Sequence, residues 1–124
     1  MNFIIQGEIV SKKNTWQRAK WGGIYQSKQK ELDDIIWQLK SQKTNKEPLR
    51  GDIYLSVVIH GSNRRDGLNE LETLADCLQN AGVIFNDRQI KQVVFTKHIV
   101  KKNFRAGIWL EETTKKKKRK ISVE

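Results

Sequence analysis

Ile53-Tyr54-Leu55-Ser56-Val57-Val58-Ile59 and, after a short polar link, Leu68-Asn69-Glu70-Leu71-Glu72-Thr73-Leu74-Ala75-Asp76-Cys77-Leu78-Gln79-Asn80-Ala81-Gly82 set the fold class between them. The first run is β-branched, with Ile53, Leu55, Val57 and Ile59 at every second position, the period of a strand with one buried face. The second changes period. At about 100° per residue, counted from Asn69, Leu71, Leu74, Ala75 and Leu78 fall between about 140° and 240°, with Leu68 near 260°. That arc reads as the core face of an amphipathic helix. Asn69, Thr73 and Asp76 gather on the opposite side, and Glu70 sits near 100°. Gly82 supplies a left-handed stop. Val83-Ile84-Phe85 then reads as a short strand leading into Asn86-Asp87-Arg88-Gln89.

Outward from this β-α-β unit, Phe3 to Val10 reads as a strand ending at the polar loop Ser11-Lys12-Lys13-Asn14. Thr15 to Gln26 has no clear period. It mixes Trp16, Trp21 and Tyr25 with Arg18, Lys20 and the Gly22-Gly23 pair, and reads as a loop whose aromatics either stack on bases or pack over the core edge. Ser27 caps a second amphipathic helix, with Leu32, Ile35, Ile36 and Leu39 at helical spacing to about Gln42. Lys43 to Arg50, holding the only proline, Pro48, is a connector. Gln92 to Val100 and Arg105 to Glu112 alternate as two more strands, joined as a hairpin through Lys101-Lys102-Asn103. The expectation is an α+β fold: a single domain, residues 1–113, with a mixed sheet of about four strands and two main helices, followed by a basic tail, residues 114–124.

Composition narrows the partners. The 124 residues carry 24 Lys and Arg against 14 Asp and Glu, a net charge of +10 and a pI near 9.9. A polyanion is therefore the expected partner, nucleic acid ahead of an anionic membrane. No apolar run approaches the ~18 residues of a spanning helix, and Met1 to Glu8 lacks the charged start and apolar centre of a signal peptide. The expectation is a cytoplasmic protein that does not enter the membrane. Cys77 is the only cysteine, so it has no internal disulfide partner and reads as a small, half-buried helix residue.

Acids within this basic chain point to chemistry. Carboxylates suit hard Mg²⁺ or Mn²⁺, while Lys and Arg draw in a phosphate backbone, the combination a nuclease needs. Asp66 stands at the helix start behind Arg64-Arg65. An Asp there is also an ordinary N-terminal cap, but two preceding cations favour its ionised form and can grip a phosphate beside it. Asp87 stands at a strand end. Glu70, one turn from Asp66, is a candidate third ligand or else a solvated helix residue. Asp76 is a further candidate or a structural hydrogen-bonding group. Asp66, Asp87 and either Glu70 or Asp76 would form the catalytic set, holding one or two divalent ions for phosphodiester hydrolysis with no side-chain nucleophile. Lys12, Lys13, Arg64, Arg65 and Arg88 are candidate phosphate contacts, or else ordinary surface cations. His60, at a strand end, is a ligand or base on one reading and a surface or packing residue on the other.

Arg65-Asp66, Asn69, Asp76, Leu78, Ala81-Gly82 and Asn86-Asp87, preceded by Ser11-Lys12-Lys13-Asn14 and Tyr25-Gln26-Ser27, follow a familiar order. Over most of its length the chain resembles the RusA-type Holliday-junction resolvases, small phage-derived endodeoxyribonucleases of DNA recombination and repair. The resemblance implies a homodimer, bacterial or prophage-encoded, that binds four-way DNA junctions and nicks paired strands with Mg²⁺. It also implies that Asp66 and Asp87 are metal ligands, and it places Asn14 and Asn69 with the basic residues on the DNA. The chain departs from the family pattern Asp-x-Asp-Asn at Leu68, which stands where the second acid belongs and cannot ligate a metal. Glu72 stands where a functional lysine is often found. These departures leave a second reading open: a non-catalytic junction-binding protein that has lost part of its acid set.

Lys115-Lys116-Lys117-Lys118-Arg119-Lys120 places six positive charges together without apolar periodicity. Such a run adds sequence-independent affinity through counterion release. Removing residues 114–124 is expected to flatten the slope of log K against log salt for duplex DNA by several units. An unchanged slope in a salt titration would rule that role out.

Overall fold

The computed structural model describes residues 1–10, 16–18, 24–26, 28–63 and 66–113. Lys12, Lys13, Asn14, Ser27, Arg64, Arg65 and the tail 114–124, with the phosphate contacts and the helix cap assigned to them, lie outside the described residues. The elements are β1 (Asn2–Gln6), β2 (Trp16–Arg18), β3 (Ile24–Gln26), α1 (Gln29–Gln42), β4 (Asp52–Gly61), α2 (Gly67–Asn80), a short 3₁₀ turn (Asp87–Gln89), β5 (Ile90–Ile99) and β6 (Arg105–Thr113). Four strands form a mixed sheet in the order β1-β6-β4-β5, and the fold is α+β with two helices.

β4 is the keel of the sheet. Its inward positions Ile53, Leu55, Val57 and Ile59 are all buried, as period-two alternation requires. β5 pairs with it in parallel on one side and β6 antiparallel on the other. A parallel neighbour needs a long crossover, and α2 provides it. The expected hairpin between the last two strands is therefore absent: β4 lies between β5 and β6, and the link from Val100 to Phe104 passes its end, with Val100 donating to the Gly61 carbonyl (2.9 Å). Alternation fixes that a segment is a strand but not which neighbour it chooses.

Three further boundaries differ from the expectation. β1 stops at Gln6 because Gly7 takes a positive φ of 102°, so Ile9 and Val10 are buried outside any strand. The segment expected to be a loop contains β2 and β3, an antiparallel pair with Trp16 opposite Gln26. Val83 to Phe85 makes a single bridge, Leu49 to Ile84, and no strand. Gly82, at φ 79°, ends α2 as expected: Val83 donates to Leu78 and Gly82 to Gln79, the paired bonds that close a helix through a left-handed residue.

The core lies between the sheet and one helical layer, with Phe3, Ile5, Ala106, Ile108 and Leu110 from the strands against Leu32, Ile35 and Leu39 of α1 and Leu74, Cys77 and Leu78 of α2. Cys77 is fully rather than half buried. At the β1 edge, Gln42 accepts from the Ile4 N–H and donates to its carbonyl, and Gln38 does the same for Gln6, at 2.8 to 3.0 Å. No described helix is long and apolar enough to cross a membrane.

Gln89 ties the lower end of the molecule together. Its Oε1 accepts from the Phe85 and Asn86 N–H groups, and its Nε2 donates to the Leu49 and Gly51 carbonyls. Gln89→Ala is expected to lower the unfolding free energy by about 1–3 kcal/mol in a urea titration, because the Asn86 N–H and the Gly51 carbonyl lose their bonds to it, while the Phe85 N–H and the Leu49 carbonyl keep each other at 3.1 Å.

Candidate functional site

Asp66 caps α2. Its backbone is extended (φ −76°, ψ 121°), and its Oδ1 accepts from the Leu68 N–H at 3.0 Å. Asn69 reaches its other oxygen at 3.5 Å. The cap and the candidate ligand are thus the same exposed carboxylate. Gly67 allows the helix start to lean on β5, since a Cβ there would stand 3.0 Å from the Phe95 ring. Leu68, in the place of the second acid, is 67% exposed.

The helix is rolled away from its apolar arc. Its buried side chains are Glu70, Thr73, Leu74, Cys77 and Leu78, an arc from about 40° to 180°, turned by about 90° from the expected one. Leu71 and Ala75 are left half-buried, and Leu68 faces solvent. Glu70, read from the sequence as a third ligand or a solvated residue, is neither exposed nor at the surface beside Asp66: it has no exposure, and its Oε1 accepts from Lys97 Nζ at 2.6 Å. Lys97 occupies an inward position of β5, in register with Ile59 of β4. Two polar groups buried together are tolerable where either alone is not. Thr73 joins them in the buried arc, its hydroxyl donating to the Asn69 carbonyl at 3.1 Å. Lys97 was not singled out from sequence. A lysine in the inward series of β5 and a glutamate inside the arc of α2 were the two halves of a signal that only the sheet order joins.

Asp87 lies at the far end of the same helix. It opens the 3₁₀ turn, exposed, and its N–H donates to Gln79 Oε1 at 3.0 Å. Asn86 caps that turn by accepting from the Arg88 N–H at 2.8 Å, and Arg88 is exposed beside it. From Asp66 at the first turn to Gln79 at the last, α2 spans about 20 Å, so Asp66 and Asp87 cannot hold one ion within a single protomer. Asp76, half-buried on α2, lies nearer the Asp87 end. Among the described residues no three His, Cys, Asp or Glu side chains stand together as a metal site. The donor types suit Mg²⁺, but one protomer does not assemble them.

The chain matches no family model and no curated protein.

His60 stands on the other face of the sheet, half-buried, with its ring stacked on His98 at 4.9 Å. Its pKa is held below the usual histidine value, first by burial and then by the nearby positive charges of Arg105 and His98.

Breaking the internal ion pair from one side takes the opposite charge away from a group that stays buried. Lys97→Met is expected to destabilise the fold by about 3–5 kcal/mol, and the double variant Glu70→Leu, Lys97→Met by clearly less. Denaturant unfolding of the single and double variants measures the difference; equal losses would show that the pair does not act as a unit.

Proposed function

We propose that the protein is a metal-dependent endodeoxyribonuclease that cuts branched DNA, resolving four-way junctions in recombination and repair as a homodimer with Mg²⁺ as cofactor. The observation that supports this reading is the placement of two exposed carboxylates, Asp66 and Asp87, at opposite ends of α2. In a two-fold dimer with the α2 helices antiparallel, Asp66 of one copy meets Asp87 of the other, and the operation repeats to give two equal sites. The surface left by the roll of α2 suits that pairing: Leu68 is 67% exposed at one end of the helix and Phe85 54% exposed just past the other, with Leu71 and Ala75 half-buried between them. Two sites related by a two-fold axis match a substrate cut in two strands.

In each composite site Asp66 is oriented by the Leu68 N–H and Asn69, and Asp87 by the turn that Asn86 and Gln89 cap. Arg88 and Asn69 lie where they can contact phosphate oxygens. A hard divalent cation, when bound, supplies Lewis-acid polarisation of the phosphate and a more acidic water. A second reading is favoured by Leu68 and by the enclosure of Glu70: the chain binds junctions without cutting them.

Mixing single variants separates the possibilities. Asp66→Asn and Asp87→Asn are each expected to abolish Mg²⁺-dependent nicking of a synthetic four-way junction. Mixed and allowed to exchange, they should recover about a quarter of the wild-type rate, since half the dimers then carry one intact site of two. No recovery would refute the composite site. Junction binding without any nick in the wild type would favour the binding protein, and Leu68→Asp would then be the variant to restore cutting.

A further inference from the structure

The sheet face turned away from the helices carries a second arrangement that the acids of α2 do not use. His98, His60 and Arg105 stand abreast on β5, β4 and β6: His60 is in register with His98 on one side and with Arg105 on the other, and Gln6 of β1 continues the row. The imidazoles are stacked with 23° between their planes. The Arg105 guanidinium donates to the Asn103 carbonyl at 2.8 Å. Like charges directly opposite on neighbouring strands are destabilising. The next outward positions, Ile4, Gly107, Val58 and Thr96, are uncharged, and the first carboxylate on this face of β6 is Glu111, at the other end of the strand. An anion on the row would offset the positive charges of Arg105 and His98, which after burial are what hold the His60 pKa down.

Beside the row runs a groove of about 210 Å³ between Ile4, Val58, His60, Arg105, Gly107 and Trp109. Its wall is an indole laid against the sheet: a Cβ on Gly107 would stand 2.7 Å from the Trp109 ring, so only glycine allows this seating. Trp109 remains 44% exposed. A groove with an aromatic wall and a cationic end has the two halves of a nucleotide site, a face on which a base stacks and donors for its phosphate.

We propose that this face binds single-stranded nucleic acid, one unpaired base lying against Trp109 in the groove and its phosphate resting on Arg105, His60 and His98. A duplex holds its bases paired and stacked and cannot offer one to the groove. The net charge of +10 fits the partner. The site stands on the face opposite α2 and does not depend on Asp66, Asp87 or any cleavage activity. A phosphate held by the row favours the protonated His60 imidazole, whose pKa without the anion lies below the usual histidine value, so binding takes up a proton and affinity rises as pH falls toward and below that value.

The test is anisotropy of a labelled short oligothymidylate, the matching oligouridylate and a duplex, with the full chain at salt high enough to weaken the contribution of the tail. Trp109→Ala and Arg105→Gln are each expected to weaken both single strands about tenfold and leave the duplex unaffected, while Trp109→Phe keeps most of the affinity. His60→Gln should remove the pH dependence. A preference between the two oligonucleotides would identify DNA or RNA as the source of the strand. If Arg105→Gln and a folded Trp109→Ala bind the single strands as wild type does, the proposal fails. It also fails if Trp109→Ala abolishes self-association in sedimentation while oligonucleotide affinity is unchanged, which would make the face a contact between copies. Arg105 is exposed, so its variant decides the matter even where Trp109→Ala does not fold.

Discussion

A carboxylate and an ammonium group sealed between α2 and β5 decide how the rest of the molecule presents itself. Glu70 enters the interior with Lys97 meeting it there at 2.6 Å. With that pair inside, α2 is rolled so that Thr73, Leu74 and Cys77 face the sheet, and the stripe from Leu68 through Leu71 to Ala75 moves to the surface. The same roll leaves Asp66 exposed at one end of the helix. Structure and proposed chemistry meet in one buried ion pair that touches neither the substrate nor a metal.

Much of the architecture was legible because it follows from periodicity. The alternation of β4, the helical spacing of α1 and the glycine stop of α2 each fix an element locally. Other features depend on partners distant in sequence. β5 and β6 read as a hairpin because they are consecutive and joined by a short polar link, but β4 offered both its edges and took one of them on each side. The roll of α2 was hidden for a similar reason. A helical wheel sorts side chains by polarity, and a glutamate with an internal cation counts as polar until that cation is located.

The candidate site was legible in kind and not in arrangement. Asp66 and Asp87 stand out as acids in a basic chain, yet the sequence places them close in number, and a 14-residue helix places them far apart in space. Glu70 lay one turn from Asp66, a fair position for a ligand, and the burial that removes it is a tertiary fact. His60, Arg105, His98 and Trp109 come from three strands and form no local pattern; only the register joins them.

The two glutamines on α1 have a consequence for how the sheet can grow. Gln38 and Gln42 satisfy both the N–H and the carbonyl of Gln6 and Ile4, in the way a neighbouring strand would, so the β1 edge has no free ladder there to offer. The opposite edge, β5, carries no such cover from another described strand. Extension of the sheet by a further strand at β1 is therefore blocked at Ile4 and Gln6, whatever pairs with β5. Propagation of one continuous sheet into a fibril needs two open margins per molecule, and the β1 margin is closed.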